Sequence, residues 1–278
     1  MAHKEKRKKK TLPLLLAALT LAGAGLWWGN YTLSVEEYAF SSSRLPPGWD
    51  GGRLVVLSDL HGRRFGRDNR RLAAAVEAAH PDVIALVGDF VDEWTDPAYL
   101  RPLLERLTAL APCYFVSGNH EWAAGKMQET AALLADCGVT WLHNGFVTLQ
   151  RGGDSLLLAG IDDPNGYADQ PTVAQLLDQV RAEQGEVYTV LLSHRNNHYA
   201  QYAEARADLT LSGHAHGGLI RLPGTDGLFG PKRELWPTYT AGLYDLDYGQ
   251  MVVSRGLGNQ FPCFRLFNRP DVPLVVLE

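Results

Sequence analysis

Leu54-Val55-Val56-Leu57-Ser58-Asp59-Leu60-His61 is an apolar run that ends in a carboxylate and an imidazole two residues apart. Four more stretches do the same. Val83–Val87 runs into Gly88-Asp89, and Tyr114–Val116 into Ser117-Gly118-Asn119-His120. Val187–Leu192 runs into Ser193-His194, and Leu209–Leu211 into Ser212-Gly213-His214-Ala215-His216. Short apolar runs bounded by Gly, Ser or Asp predict buried strands of a parallel or mixed sheet. Ligands of open α/β sheets sit just beyond the carboxyl ends of such strands. The five runs are therefore expected to bring two Asp, one Asn and five His to one edge of one sheet, the donor set of a dinuclear metal site.

Working outward from the first run, strands and helices alternate. The strand Arg53–Ser58 precedes a predicted helix at Asp68–Ala79, with Ala73, Val76 and Ala79 on one face and Pro81 beyond it. Val83–Val87 precedes a helix near Pro97–Leu110, and Tyr114–Val116 a helix near Lys126–Cys137 that Gly138 stops. This βαβαβ rhythm implies a parallel sheet with right-handed crossovers. Val139–Leu142, Phe146–Gln150 and Ser155–Ile161 then read as strands joined by tight turns at Asn144-Gly145 and Gly152-Gly153-Asp154. A helix at Thr172–Glu183 leads to Tyr188–Leu192, and a short one near Asn197–Ala205 leads to Leu209–Leu211. Strand-like segments at Leu243–Leu246, Met251–Ser254 and Val272–Leu277 complete the order. Two packed mixed β-sheets flanked by helices fit it.

The chain has 278 residues, 46% of them hydrophobic and 10% aromatic, enough to bury a large core. Its formal charge is −5, but Met1–Lys10 carries six basic residues against Glu5 alone, so the remainder sums to −10. That balance argues against a nucleic-acid-binding surface. Behind this basic head (1–10) lie eighteen uncharged residues, Thr11–Trp28. Their length and the closing Trp27-Trp28 pair favour a retained signal anchor over a signal peptide cleaved after Ala22-Gly23-Ala24. The positive-inside rule then predicts a single-pass protein of the cytoplasmic membrane, its domain on the outer side; cleavage would make it secreted. Residues 29–52 read as an extended lead-in, with a turn at Pro46-Pro47-Gly48, and 53–278 as one domain. Cys113, Cys137 and Cys263 have no C-x-x-C spacing and read as buried free thiols.

Taken singly, Asp59-x-His61 and Gly88-Asp89 are weak signals. Gly118-Asn119-His120-Glu121 is more specific, and Gly213-His214-Ala215-His216 most of all, since H-x-H after a strand commonly marks ligation. His3, His80 and His143 get no functional reading, and His198 only that of a residue supporting His194. In this order and spacing, D-x-H, G-D, G-N-H, a lone H and G-H-x-H resemble the calcineurin-like metallophosphoesterase superfamily. Softer likenesses, His216-Gly217-Gly218-Leu-Ile-Arg221-Leu-Pro223, Ser254-Arg255-Gly256-Leu257-Gly258 and Arg265–Pro270, point to its bacterial membrane-attached phosphodiesterase branch.

The resemblance implies a metallophosphoesterase-type αββα sandwich behind the membrane anchor. Asp59, His61 and His216 would hold one metal; Asn119, His194 and His214 the second; Asp89 would bridge both. His120 would be the catalytic non-ligand that protonates the leaving oxygen. Two divalent transition metals, with Mn, Fe and Zn all suited to a nitrogen and oxygen donor set, would then let a bridging hydroxide attack phosphorus in line. Glu121 departs from the Asp often found there and is expected to orient neighbouring groups. Asp92 reads as a cap, and Arg221 and Arg255 as phosphate contacts or structural arginines. The expected function is a phosphoesterase, specifically a phosphodiesterase, acting on a phosphate ester that its membrane setting suggests is lipid-linked. The alternatives are a lipid-linked sugar-nucleotide pyrophosphatase of the lipid A pathway type, whose active site would face the cytoplasm, and a non-catalytic scaffold, which would normally have lost ligands.

Overall fold

The computed structural model describes residues 2–222, 224–259 and 263–278, with side chains from Leu12 onward except that of residue 18. Pro223 and the side chains of the basic head therefore lie outside the described residues. In chain order the elements are α1 (Ala2–Tyr31), β1 (Ser34–Phe40), β2 (Arg53–Leu57), α2 (Arg70–Ala78), β3 (Val83–Val87), α3 (Arg101–Thr108) and β4 (Cys113–Val116). Then come α4 (Asn119–Ala123), α5 (Met127–Asp136), β5 (Thr140–Trp141), β6 (Gly145–Arg151), β7 (Asp154–Ile161), α6 (Val173–Gln184) and β8 (Thr189–Arg195). The last five are α7 (Tyr199–Glu204), β9 (Leu209–Gly213), β10 (Gly242–Asp245), β11 (Gln250–Val253) and β12 (Asp271–Leu277).

The strands form two six-stranded sheets, ordered β1-β12-β2-β3-β4-β5 and β10-β11-β9-β8-β7-β6. Both are mixed. In the first, β2 through β5 run parallel while β12 is antiparallel to β2; in the second, β7, β8, β9 and β11 are parallel, flanked by antiparallel β6 and β10. Strand periodicity sends alternate residues to opposite faces. Leu54, Val56, Val83, Ala85 and Val87 accordingly meet Leu158, Val190, Leu192, Leu209 and Leu211 between the sheets. Their neighbours Val55, Leu57, Ile84 and Leu86 face outward to pack under Leu72, Val76, Leu103, Leu104 and Leu134 of α2, α3 and α5. On the other side Leu157, Leu191 and Met251 pack under Leu176, Leu177, Val180 and Tyr202 of α6 and α7. The result is four layers, helix, sheet, sheet, helix, with apolar residues on both faces of every central strand.

Three expectations change. The metal-bearing runs do not share one sheet: β2, β3 and β4 belong to the first and β8 and β9 to the second. Apolar central strands look alike in sequence whichever sheet they join, so only the pairing separates them. The lead-in is part of the fold, since β1 pairs in parallel with β12 from Ser34↔Asp271 to Phe40↔Leu277. Finally, Cys113 and Cys137 are buried thiols, but Cys263 is exposed.

Candidate metal centre

The carboxyl ends of β2, β3 and β4 face those of β8 and β9 across the inter-sheet core, and the strand-end residues converge there. Asp59, His61 and His216 place one donor atom each within 4.8 Å of one another; so do Asp89, His194 and His214, and so do His61, Asp89 and His120. Asp89 belongs to two of these groups. Its Oδ2 lies 3.1 Å from His194 Nε2 and 3.7 Å from His61 Nε2. Asp59 Oδ1 lies 3.6 Å from His216 Nε2 and 3.9 Å from His194 Nε2. Asn119 joins Asp89, His120, His214 and His216 in lining a cavity of about 300 Å³ that also meets Phe229, Arg233 and Cys263.

The backbone is bent to achieve this. Asp59, His61, Asp89, His214 and His216 all adopt left-handed φ, between 44° and 68°. Such conformations cost non-glycine residues free energy and cluster where function demands them. Gly88 is needed for the same turn, because a Cβ there would meet Gly118 N at 2.6 Å and His194 Nδ1 at 2.8 Å. Small residues beside each donor are thus what lets strands from two sheets close in.

Hydrogen bonds then aim the donors. His194 Nδ1 donates to the Val87 carbonyl at 2.9 Å, and His216 Nδ1 to that of Gly258 at 3.3 Å. A carbonyl only accepts, so each Nδ1 carries a hydrogen, and in the neutral ring Nε2 turns its lone pair inward. Burial, together with His216 and His120 nearby, lowers the His61 pKa to about 3; His214 and His216 are also lowered, chiefly by burial. Neutral imidazoles are the ligating form. His194 differs: burial works against its charge, but Asp89 and Asp59 outweigh it and raise the ring to about 10. Burial likewise opposes ionisation of Asp89, yet His194 and His61 hold its carboxyl well below the usual range.

Glu121 is fully buried and clamps two of the loops. Its Oε1 accepts from Phe90 N (2.6 Å) and Val91 N (3.1 Å), and its Oε2 from Asp89 N (3.0 Å) and Gly118 N (2.9 Å). Burial and the Asp89 carboxylate push its pKa up to about 7 against those donors. Two groups passed unnoticed in the sequence. Asp162 Oδ1 accepts from Ser117 N at 3.1 Å, Ser117 Oγ at 2.7 Å and Trp141 Nε1 at 2.9 Å, and its Oδ2 meets His143 Nδ1 at 2.6 Å, fixing the turn that carries Asn119. Asp163 takes both Nε (2.6 Å) and Nη2 (2.9 Å) of Arg195, the residue after His194. The signal existed: Leu156–Ile161 is another apolar run that ends in acidic residues. His198 instead lines a separate cavity of about 360 Å³ with Asp162 and Tyr167. Arg221 bonds Gly217 O and Thr240, and Arg255 Nε faces Asp271 at 3.8 Å. Asp92 caps its turn, accepting from Trp94 N and Thr95 Oγ1.

The calcineurin-like phosphoesterase family model matches residues 52–218, more than half the chain and every residue of the cluster. The chain belongs to this family. It is 32% identical over 291 residues to a bovine transmembrane protein with metallophosphoesterase domain, covering 98% of this chain and 64% of that one. It is 27% identical over 232 residues to the Escherichia coli phosphodiesterase YaeI, covering 81% and 82% respectively. Among solved structures, TT1561 of Thermus thermophilus shares the fold, with a TM-score of 0.51 at 14% identity over 74% of this chain and 90% of that one. As a calcineurin-like phosphoesterase the protein is a metal-dependent hydrolase of phosphoric esters, which accounts for a cluster so rich in imidazole and carboxylate at its strand ends.

Proposed function

We propose that the protein is a membrane-anchored phosphodiesterase in which Asp89 would help to hold two divalent cations. The observation that carries this reading is the sharing of one carboxylate between the His61 side and the His194–His214 side of the cluster. The donors suit the cations. His61 Nδ1 and Nε2, Asp89 Oδ2, Asn119 Oδ1 and His194 Nε2 are all buried without a hydrogen-bond partner among the described residues. Unpartnered buried polar atoms are costly unless something binds them. Asp59, His61 and His216 would hold one cation, and Asn119, His194 and His214 the other. Divalent cations at these positions supply Lewis acidity, acidifying water and neutralising charge on the phosphoryl oxygens.

The protein's own residues do the rest. Asp59 and Asp89 confine negative charge to the cation side of the cavity, while Arg233 at the mouth offsets the charge of an approaching diester. Glu93 Oε2 lies 3.7 Å from His120 Nδ1, and the role we assign to this ring at the cavity wall is to give a proton to the departing alkoxide. Diester over monoester is favoured by the Escherichia coli relative, described as a phosphodiesterase.

In detergent with Mn²⁺, the full chain is expected to hydrolyse bis-p-nitrophenyl phosphate. Chelation should abolish turnover and returned Mn²⁺ restore it; turnover indifferent to chelator would refute a metal-dependent site. The tether is α1, in which Leu12–Tyr31 is long and apolar enough to cross a membrane. Its end docks on the domain, with Asn30 Nδ2 donating to Arg265 O at 2.7 Å and Asn30 Oδ1 accepting from Arg265 N at 3.0 Å, which favours retention over cleavage. With the basic head inside, the domain faces outward. A C-terminal alkaline phosphatase fusion should then be active, and a fusion active only as a cytoplasmic reporter would reverse the topology.

A further inference from the structure

The helix that tethers the domain also fixes how its cavity meets the membrane. Gly25 and Gly29 lie one turn apart on α1, and the segment Arg265–Phe267 runs along that seam. A Cβ at Gly25 would touch Phe267 Cε1 at 3.3 Å, and one at Gly29 would touch Arg265 O at 3.2 Å. Gly25 lies six residues inside the Tyr31 end of the span, about 9 Å along the helix axis at 1.5 Å per residue. A ring packed on Gly25 therefore sits at the depth of the lipid headgroups and upper acyl chains, together with the helix it touches. Arg269 stacks over Trp28 at 5.1 Å and Arg63 over Tyr31 at 4.7 Å, placing cations beside the aromatic belt.

Further exposed apolar residues stand next to lining residues of the metal cavity. Phe264 adjoins Cys263, which lines that cavity, and both Phe264 and Phe267 are exposed. Arg221 N donates to Leu266 O at 3.0 Å and carries the exposed Leu222 beside them. Phe229, another lining residue, pairs with Leu235, and Leu235 and Trp236 are 61% and 57% exposed. Isolated exposed apolar residues need no explanation, but a row of them joined to a membrane helix does. Interleaved Lys232 and Arg233 give it the mixed apolar and cationic make-up of an interfacial surface.

We propose that the rim formed by Leu222, Leu235, Trp236, Phe264 and Phe267 beds in the bilayer, so that the cavity opens at headgroup level and draws phosphoesters carried by membrane amphiphiles. This rests on the phosphoesterase reading above and adds the substrate class. The rim is the reason a phosphate held in a membrane reaches the cluster without leaving the lipid layer. A soluble diester must instead enter between the rim and the headgroups.

The test uses the full chain in phosphatidylcholine–phosphatidylglycerol vesicles. The part of the tryptophan emission lost in Trp236→Phe should be quenched by lipids brominated high on the acyl chain and spared by aqueous iodide; the opposite pattern overturns the proposal, including the case in which the row docks a protein. Hexadecyl p-nitrophenyl phosphate in those vesicles should turn over at least about tenfold faster than methyl p-nitrophenyl phosphate at equal bulk concentration. The double variant Leu235→Ser/Trp236→Ser should lose that preference and keep the methyl ester rate. A preference unchanged in the double variant would show that tethering alone creates it and would overturn the rim. If neither ester is cleaved, the phosphoesterase reading fails by itself, and the quenching pattern still decides where the rim lies.

Discussion

Asp89→Asn is expected to empty the centre of metal and to lower hydrolysis by at least about a thousandfold. Both oxygens of this carboxylate are committed. Oδ1 accepts from His120 N at 2.8 Å, and Oδ2 faces His194 and His61. A carboxamide turns one of these acceptors into a donor, and either orientation breaks a contact. Kept at Oδ1, the carbonyl leaves an NH₂ pointing at the cation positions; reversed, the NH₂ opposes the His120 amide. The change also removes one negative charge from a fully buried cluster, where charge is least screened. The fold should survive, because Asp89 has φ of 57° and Asn tolerates the left-handed region as well as Asp does. Metal content by mass spectrometry, turnover of bis-p-nitrophenyl phosphate and the unfolding midpoint separate these effects. A variant with unchanged turnover would sink the shared-carboxylate reading. Loss of turnover with both cations still bound would move Asp89 from ligand to some other role.

How much of this centre could be read beforehand depended on the kind of information each residue carries. That Asp59, His61, Asp89, Asn119, His120, His194, His214 and His216 come together is legible, because each follows a buried strand and strand ends are where α/β proteins gather donors; the role of each stays a proposal. The βαβαβ half was legible for the same reason: β2, β3 and β4 are separated by helices with clear apolar periodicity. What was not legible is pairing. Nothing local in Val190–Leu192 says that it lies beside Leu158 and Leu211 and not beside Val56, so the sequence supports two packed sheets without saying which donor-bearing run joins which. Likewise the alternation in Ser34–Phe40 is weak, with Glu36 and Glu37 adjacent, and β1 exists only because β12 offers it a partner. Coupling between distant loops was equally silent. That Glu121 would gather amides from Asp89, Phe90 and Val91 requires β3 and β4 to be adjacent first. The seam at Gly25 and Gly29 reads in sequence as ordinary apolar helix, since its meaning depends on a segment about 240 residues away.

The remaining large effect separates holding the cations from moving a proton. His120→Asn is expected to retain both cations while turnover falls by roughly two to four orders of magnitude, the range for a positioned acid. Its position supports that split. The backbone amide of His120 is what binds Asp89 Oδ1, and a substitution leaves that amide in place. The side chain lies toward the cavity, its ring 4.8 Å from that of His61 and its Nδ1 3.7 Å from Glu93 Oε2. Geometry alone also puts it in a group of three donors with His61 and Asp89, so ligation is the competing role. The two roles differ in what a better leaving group does. If His120 protonates the departing oxygen, p-nitrophenolate, which needs little help, should show a smaller loss than the more basic phenolate released from methyl phenyl phosphate. If it holds a cation, both esters should fall together, and metal content should fall with them. Equal losses accompanied by a missing cation would remove His120 from acid duty and add it to the ligand set.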